Sequence, residues 1–271
     1  MDMDRTVLPN GNQEESPQAR ERLRKLARRP EMLLVYVSGR RRQLQIDAIH
    51  EYDLPQPAFG VADVGTSIYE VANGQWTIVR AWHEEIAKSW QGKDAAGIRD
   101  LIQDVPGLRL QEPEAQGSFK LSYFAAADLD HRTVMQSIRD RLEPKGYRSS
   151  IIWSVDETTN TGLLDILPGG ATKLHAVEFL MKQLGIAENR MVYAGDSGND
   201  LPVLTSGLQS VLVANAIPEV RAEAEREVQR RGFTDKLYAA GGDFLGMNGN
   251  YAAGILEGLA HFLPETRAWM D

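Results

Sequence analysis

The run Met32-Leu33-Leu34-Val35-Tyr36-Val37 constrains this chain more than any other stretch. Six consecutive apolar residues leave no polar face, so a strand built from them must be covered on both sides. The run stops at Ser38-Gly39-Arg40, and helical spacing follows to about residue 52. A second apolar run, Met191-Val192-Tyr193-Ala194, stops in the same way at Gly195-Asp196-Ser197-Gly198-Asn199-Asp200. Further strands are predicted over 163–167 and 210–213, with helices over 173–184, 201–206, 219–230 and 252–262. Strands alternating with helices specify an α/β fold, a Rossmann-like, doubly wound, mainly parallel sheet. Such sheets take ligands beyond the carboxyl ends of their strands.

Between these runs the texture changes. Residues 82–91, 95–103 and 129–142 read as helices, and 119–125 and 149–155 as strands. The expected organisation is a core of residues 1–80 and 159–271 with an inserted α/β cap domain over 81–158. Near the start, Ser16-Pro17 offers an N-cap and a proline at the first helical position, predicting a helix to about residue 29. Asn73-Gly74 between two short strands is a hairpin signal.

Composition excludes several function classes. No stretch approaches the roughly 18 apolar residues of a membrane helix. The opening Met1-Asp2-Met3-Asp4-Arg5 is acidic and unlike a secretory leader. The chain has no cysteine, which removes disulfides, thiolate metal sites and a cysteine nucleophile and fits a cytoplasmic protein. A net charge of -8 argues against general nucleic-acid binding.

Four strand ends carry residues with chemical potential. Asp2 and Asp4, two apart on an extended segment, point the same way and can share nucleophilic and acid–base roles, though most such pairs are solvated turn residues. Ser38, Gly39 and the following helix start can bind an anion or simply cap a helix. Lys173 opens a predicted helix, where the dipole disfavours it, so it is either a phosphate-neutralising cation or a solvated lysine. Asp196, Asn199 and Asp200 follow an apolar strand in a glycine-rich loop and offer hard oxygen ligands for magnesium, against the reading of an Asx-rich turn.

Taken in order, the segments Asp2-Met3-Asp4-Arg5-Thr6, Ser38-Gly39-Arg40, Lys173 and Gly195-Asp196-Ser197-Gly198-Asn199-Asp200 resemble the four motifs of the haloacid dehalogenase superfamily of phosphohydrolases. Within it the chain is similar to sucrose-phosphate phosphatases. The narrower likeness rests on Val64-Gly65-Thr66-Ser67-Ile68-Tyr69, Phe119-Lys120-Leu121-Ser122-Tyr123, Leu164-Asp165-Ile166-Leu167-Pro168 and the 252–262 segment. The resemblance implies that Asp2 is the nucleophile and Asp4 the general acid and base. It implies Mg2+ at Asp2, Asp4, Asp196 and Asp200, and phosphate contacts from Thr6, Ser38, Gly39, Lys173 and Asn199. Thr66, Lys120 and Ser122 become candidate sugar contacts. The aromatic cap residues Trp82, Trp90, Tyr123 and Trp153 either suit a disaccharide or pack the cap core. The implied substrate is sucrose 6-phosphate. Mannosylfructose phosphate, mannosyl-3-phosphoglycerate, transfer to an acceptor other than water, and an impaired module beside a sucrose-phosphate synthase or similar glycosyltransferase are alternatives. Two departures stand out. Arg5 replaces a commoner glycine. Asp2 follows Met1 directly, without the apolar strand that usually precedes this motif, so a frayed and poorly placed nucleophile is the expectation.

Overall fold

The apolar runs become short strands that pair in parallel with their neighbours. A computed structural model describes residues 1–156 and 159–270. In chain order the first half of the core holds α1 (Ala19–Ala27), β1 (Val35–Val37), α2 (Arg42–Glu51), β2 (Phe59–Ala62), β3 (Ser67–Ala72) and β4 (Gln75–Ile78). The cap elements are α3 (Arg80–Ala87), which packs back on the core, α4 (Ala95–Ile102), β5 (Arg109–Leu110), β6 (Leu121–Ala126), α5 (His131–Leu142), β7 (Ser149–Asp156) and β8 (Thr161–Pro168). The core resumes with α6 (Lys173–Leu184), β9 (Tyr193–Gly195), α7 (Leu201–Leu204), β10 (Ser210–Leu212), α8 (Pro218–Arg231), β11 (Leu237–Ala239) and α9 (Ala252–Phe262).

The core strands form two ladders, β1-β2-β3-β4 and β11-β10-β9. Residues 1 and 2 join them. The Met1 ammonium donates to the Val35 carbonyl at 3.0 Å, and the Val37 N–H donates to the Met1 carbonyl at 2.8 Å. The Asp2 N–H donates to the Ala194 carbonyl at 2.8 Å. The expected fraying is therefore not found, because three backbone hydrogen bonds fix the residues that carry the first motif.

Strand alternation sends neighbouring side chains to opposite faces. Tyr36, Ala194 and Val211 pack with α1, α2 and α9, whereas Val37, Tyr193 and Leu212 pack with α3, α6, α7 and α8. Helices on both faces are what a doubly wound sheet requires. The cap has its own core of Trp90, Ile98, Leu121, Ile138 and Ile166.

Three local expectations change. Ser16 does not cap α1; its hydroxyl accepts from the Asn248 N–H instead, and Gln18 holds the cap position without a side-chain bond. Residues 32–34 lie outside β1, which pairs only from Val35. The strand read over 163–167 as resuming the core belongs to β8, which pairs antiparallel with β6 and β7 in the cap sheet. Its burial alternates over 161–166, as suits a sheet with one covered face.

Helix α9 approaches the sheet unusually closely because it carries glycine at the contact. A Cβ on Gly258 would sit 2.1 Å from Val211 Cγ2. Valine is stiff at χ1, so the helix itself must move. Gly258→Ala is expected to cost about 1–3 kcal/mol in denaturant unfolding, despite the better helix propensity of alanine.

Candidate active site

Three loops at the carboxyl ends of the parallel strands, with the start of α6, converge on one charged cluster. Lys173 is the first residue of α6, whose N-cap Thr172 accepts from the His175 N–H. Lys173 is 5% exposed, and its ammonium donates to Asp2 Oδ1, Asn199 Oδ1 and Asp200 Oδ1, each at 2.8 Å. Burial would push the lysine pKa down, but the charges of Asp2 and Asp200 outweigh it and raise it. The misplaced lysine of the sequence is thus a fully partnered cation.

Asp200 is saturated. Oδ1 also accepts from the Tyr193 hydroxyl at 2.6 Å, and Oδ2 accepts from the Asp196 N–H, the Ser197 N–H and the Ser197 hydroxyl. It builds the loop rather than facing the pocket. Gly195 is needed beside it, since a Cβ there would lie 2.5 Å from Asp200 Cγ. Asp196 is 1% exposed and accepts from the Thr6 hydroxyl at 2.9 Å, with the Arg5 guanidinium 3.5 Å away.

The acids differ in character. Burial, reinforced by the Asp200 charge, raises Asp2 to about 7 against the pull of Lys173. Burial raises Asp196 to about 6 although Thr6 opposes it. Asp4 also feels burial, but the hydrogen bonds and charge of Arg40, with a bond from Asn10, carry it below the usual range. Arg40 grips Asp4 with two nitrogens, Nε to Oδ2 at 2.8 Å and Nη2 to Oδ1 at 2.6 Å. This fork is the geometry in which an arginine pairs best with a carboxylate.

Asp2, Asp4, Gly39, Arg40, Asp196 and Asn199 line a cavity of about 340 Å³ together with Arg5 and Ser197. Ligand atoms of Asp2, Asp196 and Asp200 lie within 4.8 Å of one another. Lys173 bridges the buried Asp2 and Asp200, and the buried Asp196 has only the half-exposed Arg5 guanidinium 3.5 Å away, so the cluster is rich in carboxylate oxygens. Hard oxygen donors in this number fit a magnesium ion. With both Asp200 oxygens engaged, Asp2 and Asp196 are the side chains available to it.

The other candidates are placed as follows. The Thr6 hydroxyl is committed to Asp196 and does not line the cavity. The Ser38 hydroxyl accepts from the Arg40 N–H, shaping the loop that presents Gly39. Thr66 closes a local turn on the Asp63 carbonyl. Lys120 and Ser122 both attend Asp165, the serine donating at 2.5 Å and the lysine 3.8 Å away. Trp82 and Trp90 are fully buried and Tyr123 nearly so, while Trp153 stacks on His131, so these aromatics pack the protein.

Arg40 and Asp165 stood inside the quoted motifs without a role of their own, and Asn10, Tyr193 and Asn215 were missed from sequence. Arg5 has φ 56°, a conformation glycine adopts without cost, which explains why glycine suits this position. Asn10 accepts from its N–H and Asn215 donates to its carbonyl, together holding the arginine in that shape. Asn–Gly at 10–11 was the only local hint of the first contact, and nothing in sequence announced the second.

A buried carboxylate at the first motif, a second acid, a lysine bridge and an acidic loop on a doubly wound sheet are the arrangement expected of a phosphohydrolase of the haloacid dehalogenase type. The comparisons narrow this. The profile of the sucrose-6F-phosphate phosphohydrolase family matches residues 1–263, and the chain belongs to that family of phosphoric monoester hydrolases acting on sugar phosphates. A relative from Nitrosococcus oceani, described as a HAD-like hydrolase, is 54% identical over 270 residues, covering 100% of this chain and 72% of its own. The mannosylfructose-phosphate phosphatase of Agrobacterium fabrum is 29% identical over 231 residues, 85% of this chain and 83% of its own. The crystal structure of the sucrose-phosphatase from Synechocystis sp. with sucrose and phosphate superimposes with a TM-score of 0.69 at 24% identity, covering 96% of this chain and 95% of that one. It shares the fold. Among the described residues no helix is long and apolar enough to cross a membrane.

The raised carboxyl groups give a pH signature that needs no turnover. A cation and a proton compete for a carboxylate, so a cation held by Asp2 and Asp196, raised to about 7 and about 6 without it, would have to displace protons at lower pH. The rise in melting temperature caused by added magnesium is therefore expected to be small at about pH 5 and to grow through about pH 6–7. A magnesium shift independent of pH in thermal melts would contradict this assignment.

Proposed function

We propose that the protein hydrolyses a disaccharide phosphate, with sucrose 6-phosphate the foremost candidate, through an aspartyl-phosphate on Asp2. The observation that carries this reading is the placement of Asp2. Its backbone is tied to both halves of the sheet and its Oδ1 is held by Lys173 at 2.8 Å. That leaves Oδ2 as the oxygen for attack on a phosphate in the cavity it shares with Asp4 and Arg40.

In the first step Asp2 Oδ2 forms a bond to phosphorus, the bond from phosphorus to the sugar oxygen breaks, and Asp4 gives that oxygen a proton. In the second, Asp4 takes a proton from water, the water oxygen attacks phosphorus, and Asp2 leaves as carboxylate. Arg40 holds Asp4 ionised beforehand. A dianionic phosphate competes for the guanidinium, and Asp4 freed from its cation takes up a proton more readily. Asp2, Asp196 and the Asp4 carbonyl would hold magnesium, which when bound would supply positive charge against the repulsion between carboxylate and phosphate. Lys173 screens the same repulsion from the other side.

Sugar recognition falls to the polar groups where cap and core meet. Asp165 is held by Ser122 and Lys120, and the Asp63 carboxyl, raised first by burial, also feels the charges of Lys120 and Asp165. The Arg41 guanidinium reaches the Glu114 carbonyl across the same boundary. The Agrobacterium relative, which spans most of this chain, supports mannosylfructose phosphate as the second reading. A glycosyltransferase making the sugar phosphate is the partner either substrate implies.

Phosphate release with magnesium from sucrose 6-phosphate, mannosylfructose phosphate and simple hexose 6-phosphates separates these readings. The disaccharide phosphates are expected to lead in kcat/KM, and a hexose phosphate ranking first would overturn the assignment. Asp2→Asn is expected to cut turnover by about a thousandfold or more with an unchanged circular dichroism spectrum. Lys120→Ala is expected to raise KM by roughly tenfold with little change in kcat, the mark of lost ground-state binding.

A further inference from the structure

Two cations line the catalytic cavity, Arg5 and Arg40, and a third, Lys173, reaches the Asp2 carboxylate. Their hydrogen-bonding capacity is unequally committed. An ammonium has three donors, and Lys173 gives all three away, to Asp2, Asn199 and Asp200. Arg40 commits Nε and Nη2 to the Asp4 carboxylate. Arg5 differs from both. Its Nε is buried and makes no hydrogen bond among the described residues, although Asp196 Oδ2 lies 3.5 Å away. Its Nη2 has one long contact, to the Asn215 carbonyl at 3.5 Å. A guanidinium carries five N–H donors in a rigid fork, so most of the capacity of Arg5 is unused. The side chain lines the cavity and is 39% exposed, which leaves those donors accessible.

The backbone holds Arg5 there against its own preference. Its φ of 56° lies in the left-handed region, where a side chain is strained and glycine is not. Asn10 Oδ1 accepts from the Arg5 N–H at 2.8 Å, and Asn215 Nδ2 donates to the Arg5 carbonyl at 2.6 Å. Asn215 is fixed in turn, its Oδ1 accepting from the Tyr251 N–H at 2.8 Å. Asn10 Nδ2 also donates to Asp4 Oδ1 at 2.8 Å, so one amide sets both the arginine and the acid. Two asparagines thus keep an arginine in a shape that glycine takes freely. Service to Asp196 does not account for this, because Thr6 already hydrogen-bonds that carboxylate at 2.9 Å and Arg5 does not.

We propose that Arg5 is a phosphate-binding residue of this site, its guanidinium donating to two oxygens of the phosphoryl group that Asp2 attacks. The inference rests on the catalytic reading above, and it adds a contact to the motif residues Thr6, Ser38, Gly39, Lys173 and Asn199. A guanidinium fork matches a pair of phosphate oxygens in geometry and charge. With Arg5 in that role, Lys173 need not release Asp2, Asn199 or Asp200 when the ester binds.

The test compares Arg5→Gly and Arg5→Lys with the unaltered protein. Calorimetric titration with inorganic phosphate, magnesium present, reads the contact without turnover. Arg5→Gly is expected to weaken phosphate binding by roughly tenfold or more and to raise KM for sucrose 6-phosphate similarly, with an unchanged circular dichroism spectrum. Arg5→Lys keeps the charge and loses the fork, so it is expected to recover only part of the affinity. The rise in melting temperature from magnesium alone is expected to persist in Arg5→Gly. Equal phosphate affinity in Arg5→Gly and the unaltered protein would overturn the role of Arg5 and leave the catalytic reading standing. So would loss of the magnesium shift together with the phosphate affinity, which would show that Arg5 serves Asp196. An unaltered protein that binds no phosphate would overturn the catalytic reading and this inference with it.

Discussion

The ammonium of Lys173 is the point on which the site depends. It ties together residues that are far apart in the chain, Asp2 at the start, Asn199 and Asp200 near the last third, each at 2.8 Å. Breaking a buried pair by removing one partner leaves an uncompensated charge and typically costs about 3–5 kcal/mol. Here one cation answers several acids, so the cluster stores electrostatic demand rather than stability. That demand is what makes the pocket receptive to a further cation. The same lysine prevents Asp2 from rotating away, because one of its oxygens is already spoken for.

The surrounding polar groups divide into those that hold and those that face the cavity. Tyr193, Ser197 and the Asp196 N–H fix Asp200, and Thr6 fixes Asp196. Asn10 and Arg40 fix Asp4. Much of the motif chemistry is therefore spent on orientation. Preorganised charge is effective because it does not have to be assembled during the reaction.

The broad architecture was legible because apolar runs ending in glycine and acid-rich loops admit few alternatives. Helix α9 matched its expected limits, and the Asn73-Gly74 turn joins β3 to β4 as read, both residues with positive φ. Less was legible where a residue's role depends on distant partners. Ser16 looked like a cap, yet it serves Asn248, more than two hundred residues away. The β8 segment looked like a core strand because strand–helix alternation resumes with it, but only pairing decides between two sheets. Arg40 was visible as part of Ser38-Gly39-Arg40, while its grip on Asp4 depends on a contact 36 residues apart. The backbone bonds of Met1 were invisible because they involve no side chain.

The path between β8 and α6 has a mechanical meaning. Cap strand β8 ends at Pro168 and Lys173 begins α6, so only residues 169–172 separate the cap sheet from the central cation. Cap residues grip that link, since the Arg148 carbonyl accepts from the Gly169 N–H at 2.8 Å and the Ser89 hydroxyl accepts from the Gly170 N–H at 3.1 Å. On its other side, Gly65 presses so close that a Cβ would lie 2.9 Å from the Thr172 carbonyl carbon. The link behaves as a short, clamped lever. A tilt of the cap cannot be absorbed in slack chain, and it reaches the lysine. The position of the cap sheet and that of the central cation are thereby linked through four residues.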